Sequence, residues 1–351
     1  MSSMSSLSTS SVDLLILGSG WTGTFLLPLL DSHHPNLTYH ATTRDGRSGT
    51  LKWTWDSDAQ GPEQFERLPR AKTVVVVFPV RGEGGGRRLV EGYEESVGGK
   101  VRWIQLGSTG IFDNGPTLAA CSVKGEPAPE FKWTDRHSPY DQSNARAMAE
   151  DELLSIHDET YVLNLAGLWY VLPSVPFVPF MPGGGSRLPW NWISRIAPSL
   201  EALEQKGSLH LIHGEDVARA IVAVHLSPPR PSAALSNIGA GQAEDKVETE
   251  KVPLVEEKVE KHRKLLGERY ILTDLRVYDW WDLVSCWSPA PLSNATSAEY
   301  PSAWVQHLMQ IHSIRAVPRS AKELGRAMDS REFWTRFRIM PSRGRVEKGN
   351  A

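Results

Sequence analysis

A short apolar segment followed at once by a glycine-rich turn is the feature that most constrains this fold. Residues 12–17 read Val-Asp-Leu-Leu-Ile-Leu, which suits a strand buried on both faces of a parallel sheet. Residues 22–30 then read as an apolar helix, and residues 37–42 as a second strand. The spacing G-x-G-x-x-G joins the first strand to the helix, with the glycines Gly18, Gly20 and Gly23. This order of elements predicts a dinucleotide-binding βαβ unit.

Each glycine has its own mechanical role at a pyrophosphate. Gly18 permits the tight turn, Gly20 lets the backbone approach the phosphates, and Gly23 allows close packing of helix on strand. The helix N-terminus, which includes Trp21 and Thr22, supplies free N–H groups and a positive dipole end. The alternative interpretation is a glycine turn that is merely structural.

The residues that follow the second strand indicate which dinucleotide is bound. An NAD site usually places a carboxylate there, whereas an NADP site offers a cation to the 2′-phosphate. Arg44 lies where the cation is expected, Arg47 is nearby, and Thr43 is expected to bond a phosphate oxygen. Asp45 is one position late for the acidic contact, although a one-residue shift of the loop restores it. The sequence favours NADP and leaves NAD open, as it leaves open that both arginines are ordinary surface residues.

Composition argues against several classes of function. The 351 residues include 38 basic and 41 acidic side chains, so there is no broad electrostatic case for nucleic acid or an acidic membrane. Two cysteines, Cys121 and Cys286, are too few for a disulfide framework and favour a reducing, cytoplasmic location. Residues 161–182 are uncharged, but their prolines argue against a membrane helix. No metal site is expected, because metal-ligand spacings are missing from the sequence.

Strands and helices alternate along the first half of the chain. Further strands are predicted at residues 50–55, 72–78, 101–106 and 161–165, and helices at residues 60–68, 87–97 and 138–157. Repeated alternation predicts right-handed crossovers and one α/β, Rossmann-type doubly wound parallel sheet. Pro79 ends the fourth strand at the edge where ligands bind, and is placed at the cofactor. The glycine-rich residues 80–86 are expected to close over the nicotinamide ribose or to form a mobile connection.

The predicted organisation has four parts. They are a disordered tail (1–11), a dinucleotide-binding core (12–165), a smaller, interleaved substrate-side lobe (166–340) with core elements returning around 209–239, and a polar tail (341–351). Within the lobe, strands are expected at 209–212 and 235–239, a solvated helix or insertion at 244–264, and packed C-terminal segments at 270–287 and 304–337.

Together these features resemble the short-chain dehydrogenase/reductase superfamily, specifically its extended and atypical branch of NAD-dependent epimerases and dehydratases, and within it the YeeZ-like group. The similarity covers most of residues 12–239. Besides the glycine turn, residues 106–112 resemble the family's strand-end Ser/Thr motif and residues 209–221 its HxxDxxRA segment. His213 in that segment is expected to be structural. The resemblance implies an NADP(H)-binding oxidoreductase or epimerase acting on a small molecule, and leaves a homodimer open.

The residues at the family's catalytic positions depart from its pattern. In active members a tyrosine transfers a proton, a lysine four residues later lowers its pKa and holds the ribose, and a Ser/Thr orients the substrate. Ser108 matches the Ser/Thr, but alignment on Glu150 puts Gln142 at the tyrosine and Arg146 at the lysine. Glutamine has no titratable proton, which leaves Tyr140 as the nearest replacement. The candidate catalytic residues are therefore Ser108, Tyr140 and Arg146, and the rival function is a non-catalytic dinucleotide sensor or scaffold.

Overall fold

The computed structural model describes residues 11–59, 61–113, 131–172, 175–179, 195–230, 265–288 and 301–343. The predicted strand at 235–239, the charged segment 244–264, Cys121 and most of both tails lie outside the described residues.

Twelve strands form three sheets within the described residues. They are β1 (Val12–Leu17), β2 (Tyr39–Thr43), β3 (Leu51–Lys52), β4 (Ala71–Val76), β5 (Arg102–Ser108), β6 (Thr160–Leu165), β7 (Gly167–Leu172), β8 (Val175–Pro179), β9 (Ser208–Leu209), β10 (Leu211–His213), β11 (Glu268–Leu272) and β12 (Tyr278–Asp279). The main sheet has the order β3-β2-β1-β4-β5-β6-β11.

All seven strands of the main sheet run parallel. The strand order reverses beside β1, where Ile16 lies opposite Ala41 of β2 on one side and Val75 of β4 on the other. This is the 3-2-1-4-5-6 order of a Rossmann fold with one added strand, which confirms the predicted doubly wound α/β class. In such sheets ligands bind outside the carboxyl ends of the strands at the point of reversal.

Helices cover both faces of the main sheet. They are α1 (Gly20–His33), α2 (Gly85–Val97), α3 (Ala145–Leu154), α4 (Leu200–Glu204), α5 (Gly214–Leu226), α6 (Trp280–Trp287), α7 (Pro301–Ile311), α8 (Ala321–Leu324) and α9 (Arg331–Arg336), with short 3-10 helices at Glu63–Phe65 and Thr109–Phe112. One apolar core packs α1, α5 and α9 on the sheet, and the other packs α2 and α3 on the opposite face.

A third apolar cluster forms a smaller lobe. Buried side chains of α4, α6 and α7 pack together there, among them Leu203, Trp281 and Leu308. The lobe is joined by the two-stranded sheet of β9 and β12. In the described part of the chain, every helix is too short or too polar to span a bilayer.

Several predicted elements differ from the structure. The strand expected at 50–55 is limited to β3, and the strand expected at 209–212 is divided between β9 and β10, which belong to different sheets. The helix expected from residue 138 begins only at Ala145, because the Asn144 side chain caps it by accepting from the N–H of Arg146. Of the helix expected at residues 60–68, the described residues 61–68 contain only a 3-10 turn. Residues 268–272, which overlap the expected C-terminal lobe, instead pair with β6 as the seventh strand, since four of these five residues are buried.

Candidate functional site

The glycine turn lies between β1 and α1. Gly18 and Gly20 adopt φ angles of +74° and +47°, which side chains disfavour. A Cβ on Gly18 would lie 2.9 Å from the ring of Phe78, so glycine is also needed there for packing. A Cβ on Gly20 would meet no atom within 4 Å, because Gly20 faces an open groove.

Gly23 makes a different contact from the one expected. A Cβ there would lie 1.8 Å from Oγ of Ser19, so Gly23 accommodates that hydroxyl rather than the sheet. Ser19 provides no side-chain cap to α1. Of the other first-turn residues, Thr22 is buried, and Trp21 packs its indole against the ring of Phe25 with centroids 4.8 Å apart.

A groove of about 630 Å³ opens at the carboxyl ends of β1, β2 and β4. Besides Gly18 and Gly20, its lining consists of the β2–β3 loop and three aromatic rings, Trp53, Trp55 and Phe78. Trp53 is fixed by a 2.8 Å hydrogen bond from Nε1 to the carbonyl of Gln64. The groove therefore combines open space at Gly20 with an aromatic wall.

Arg44 lines this groove at the end of β2 and is exposed. Its guanidinium makes no ion pair or hydrogen bond with the described residues. Arg47 also lines the groove and lies 3.8 Å from the carboxylate of Asp45. A hydrogen bond from the Thr43 side chain, together with Arg47, lowers the pKa of Asp45. Two cations and one carboxylate thus leave this end of the groove positive.

The hydroxyl of Thr43, which is expected to bond a phosphate oxygen, makes hydrogen bonds within the β2–β3 loop. It accepts from the N–H of Gly46 at 2.9 Å and lies 2.6 Å from Oγ1 of Thr50. Thr50 donates its own hydrogen to the carbonyl of Arg47. These bonds shape the loop that carries Arg44.

A second groove, of about 510 Å³, lies at the carboxyl end of β5 and the N-terminus of α3. Its lining residues are Arg81, Ser108, Gly110, Ile111, Asn144, Ala145 and Arg146. Oγ of Ser108 accepts from the N–H of Gly110 at 3.1 Å, which leaves the hydroxyl hydrogen free to donate. The structure therefore brings together two of the three predicted catalytic residues, Ser108 and Arg146.

Tyr140 is not among the described residues that line this second groove. Its hydroxyl donates to Asp151 at 2.7 Å, and the guanidinium of Arg269 lies 4.4 Å from the centre of its ring. Burial and the bond to Asp151 raise the pKa of Tyr140, although Arg269 opposes them. Gln142 is exposed in the turn before α3. Neither Tyr140 nor Gln142 is among the described residues that line the second groove.

The glycine-rich residues 80–86 are fixed against α3. The N–H of Gly82 donates to the carbonyl of Ala145 at 2.7 Å. The buried carboxylate of Glu152 accepts from the N–H groups of Gly84 and Arg87 at 3.0 and 3.1 Å, and so caps α2. Hydrogen bonds from residues 82, 84 and 87 therefore tie this loop to α3. Pro79 borders a narrow crevice between this loop and α3.

A buried polar cluster lies beneath the second groove. Oε2 of Glu150 accepts from Nδ2 of Asn164 at 2.8 Å and lies 3.3 Å from Nη2 of Arg269. A Cβ on Gly107 would lie 2.4 Å from both Oε1 of Glu150 and Nδ2 of Asn164. The glycine before Ser108 therefore makes room for this cluster. Burial raises the pKa of Glu150, while Arg269 lowers it.

The HxxDxxRA segment has a structural role. Nδ1 of His213 accepts from the N–H of Glu215 and caps α5, as expected for a structural histidine. Asp216 is fully buried, pairs with Arg219 at 2.8 Å, and accepts the N–H groups of residues 342 and 343. The segment therefore holds the C-terminal residues on the core.

Sequence reasoning missed three contributors to the site, which are Thr42, Arg81 and the aromatic wall of the first groove. Thr42 holds the glycine turn, since its carbonyl accepts from the N–H of Ser19 at 2.9 Å. Arg81 lines the second groove. The position of Arg81 just beyond the carboxyl end of a predicted strand was the available signal. The sequence contains no signal for the aromatic wall, because tryptophans are most often core residues.

No protein-family model and no curated protein matches this chain. Among solved structures, it is similar to vestitone reductase from alfalfa (Medicago sativa), with 12% identity, a TM-score of 0.49 and coverage of 92% of this chain and 91% of that chain. It is also similar to the UDP-glucose 4-epimerase of Thermus thermophilus in complex with NAD, with 13% identity, a TM-score of 0.48 and 95% coverage of both chains.

A third similar structure is the UDP-N-acetylglucosamine 4-epimerase of Bacillus cereus, with 10% identity, a TM-score of 0.46 and coverage of 95% of this chain and 94% of that chain. These matches assign no activity or substrate to this chain. The order of the strands in its own main sheet identifies it as a Rossmann-type doubly wound protein.

Proposed function

We propose that this chain is a member of the short-chain dehydrogenase/reductase superfamily that binds NADP(H). The supporting observation is the groove of about 630 Å³ at the reversal of strand order, which Gly18, Gly20 and Arg44 all line. The open space at Gly20 admits a pyrophosphate against the backbone. The first turn of α1 has no side-chain cap, so its N–H groups and dipole favour the phosphates.

The groove fits the adenosine half of NADP better than that of NAD. The guanidinium of Arg44 is unpaired among the described residues and suits a 2′-phosphate. Asp45 is the acidic candidate for binding the ribose 2′-hydroxyl of NAD, but its carboxylate forms an ion pair with Arg47. The rings of Trp53 and Trp55 offer apolar surface for the adenine.

The reaction that this site supports best is oxidation, reduction or epimerisation of a small molecule at the second groove. The nicotinamide supplies hydride chemistry when it is bound, and the protein positions the substrate beside it. The hydroxyl hydrogen of Ser108 is free to donate to a substrate oxygen. Arg146 supplies the positive charge that a lysine supplies in the family.

A non-catalytic dinucleotide sensor or scaffold is the second candidate. It is favoured by Tyr140, whose hydroxyl is bound to Asp151 and whose pKa is raised. Among the described residues that line the second groove, none is a tyrosine, lysine, histidine or carboxylate. An enzyme of this class would have to obtain its proton by another route.

Calorimetric titration with NADPH and with NADH tests the cofactor assignment. We expect NADPH to bind more tightly, because only NADPH carries the 2′-phosphate that Arg44 is placed to meet. A chain that binds neither dinucleotide would contradict the proposal. A screen of carbonyl substrates that follows NADPH oxidation then separates the two candidate functions, since turnover of any of them excludes the sensor.

A further inference from the structure

Two guanidinium groups line the second groove from different elements. Arg81 follows the carboxyl end of β4, and Arg146 lies in the first turn of α3. The 2.7 Å hydrogen bond from the N–H of Gly82 to the carbonyl of Ala145 joins the backbones one residue away from each arginine. The fold therefore brings both arginines to one groove, where the positive charge of the exposed Arg81 acts on Arg146.

Neither guanidinium makes an ion pair or a hydrogen bond with the described residues. The nearest buried carboxylate, Glu150, commits Oε2 to Asn164 and Arg269. Burial and the positive charge of Arg81 lower the pKa of Arg146, and the charge of Glu150 opposes them. Two neighbouring cations are costly to hold together, and an anion between them would relieve that cost.

The other polar groups of the groove also favour an acceptor. The hydroxyl hydrogen of Ser108 is free, because its oxygen accepts from Gly110. Oδ1 of Asn144 accepts from the N–H of Arg146, which leaves the amide hydrogens of Asn144 for another partner. The positive end of the α3 dipole also faces this groove. The described lining thus presents donors and positive charge and no carboxylate.

We propose that the second groove binds a carboxylate or phosphate group of the substrate between Arg81 and Arg146. This inference rests on the proposed function, because the glycine turn at the other groove is assigned to the cofactor's pyrophosphate. Guanidinium groups bind carboxylates and phosphates with two parallel hydrogen bonds. The substrate is therefore an acidic small molecule rather than a neutral one.

Calorimetric titration of the NADPH-loaded protein with malonate and with inorganic phosphate tests the proposal. Malonamide, which has the shape of malonate without its charge, is the control ligand. We expect malonate or phosphate to bind and malonamide not to bind. Arg81→Gln should lower the affinity for the anion by about tenfold or more. The matched control is Arg87→Gln, since Arg87 lies outside the groove and pairs with Glu91.

Three outcomes would overturn the inference. The first is that the wild type binds no anion, and the second is that the wild type and Arg81→Gln bind the anion with equal affinity. The third is that anions compete with NADPH and that Arg81→Gln lowers the affinity for NADPH as much as it lowers the affinity for the anion. The last outcome would assign the arginines to a phosphate of the cofactor. Failure of NADPH itself to bind would contradict the proposed function instead, and the unloaded protein then tests the anion site by the same criteria.

Discussion

The backbone N–H of Gly18 donates a 2.9 Å hydrogen bond to the side-chain Oγ1 of Thr42. Thr42 is fully buried, and its carbonyl also accepts from the N–H of Ser19. One residue at the end of β2 therefore fixes two consecutive residues of the glycine turn. The turn is held against its neighbouring strand before any ligand arrives.

Replacing Thr42 by valine tests this relationship. Valine keeps the shape of the side chain but leaves the N–H of Gly18 without its acceptor, which should cost about 1–2 kcal/mol of unfolding free energy. We expect NADPH to bind more weakly as the turn relaxes. Thr42→Ser keeps the hydroxyl and should retain most of the affinity. Urea unfolding and fluorescence titration measure both effects, and equal NADPH affinity in the two variants would count against a positioning role.

Gly20→Ala separates backbone strain from occupation of the groove. Its matched control is Gly98→Ala, because Gly98 also has a positive φ, +69°, and open space around a Cβ, but ends α2. Each alanine should cost about 1–2 kcal/mol of stability through left-handed strain. Only Gly20→Ala should also weaken NADPH, since its methyl group enters the groove. Similar NADPH affinities in both variants would contradict the proposal that this turn binds the pyrophosphate.

Arg44→Ala should lower the affinity for NADPH more than the affinity for NADH. A charge-assisted contact to the 2′-phosphate is worth on the order of tenfold in affinity, and NADH has no such phosphate. The effect should shrink at high salt because Arg44 is exposed. Parallel titrations with both dinucleotides measure the ratio, with Arg87→Ala as the control. If Arg44→Ala leaves the ratio of NADPH affinity to NADH affinity unchanged, Arg44 does not bind the 2′-phosphate.

His210 should make the fold less stable in acid. Its Nε2 accepts from the N–H of Met328 at 3.0 Å, and burial, aided by Arg326, lowers its pKa to about 3. Between pH 6.5 and about 3 the unfolded chain binds a proton that the folded chain excludes. The unfolding free energy should therefore fall as pH falls through this window, by at most about 1.4 kcal/mol per pH unit from this residue.

His210→Gln keeps an acceptor for Met328 and removes the titration. The difference in unfolding free energy between wild type and variant should therefore narrow or reverse between pH 7 and pH 4. Two other histidines with lowered pKa, the buried His213 and the half-buried His225, are present in both proteins, so their contributions cancel in the comparison. Parallel pH profiles would show that His210 is not the group responsible.

The sequence located most of the parallel sheet because that signal is local. Each buried strand is a short apolar segment, and the glycines of the first turn are needed for their own backbone angles. Arg44 could be placed for the same reason, since it directly follows β2. The start of α3 was misplaced because Asn144 ends the turn that precedes it, and a single capping side chain decides such boundaries.

The arrangement of side chains around the second groove depends on contacts between distant residues. Arg81 and Arg146 are neighbours only because Gly82 bonds to Ala145. Tyr140 is withdrawn from the second groove by Asp151 and Arg269, which no spacing along the chain reveals.

The amino-acid order by itself determined the doubly wound class and the place of the glycine turn, because burial on both faces of a strand and positive φ angles are properties of neighbouring residues. Tertiary structure alone decided which side chains share a groove and which are bound elsewhere. It also placed residues 268–272 in the main sheet, because strand pairing and hydrogen-bond partners are chosen among segments far apart in the chain.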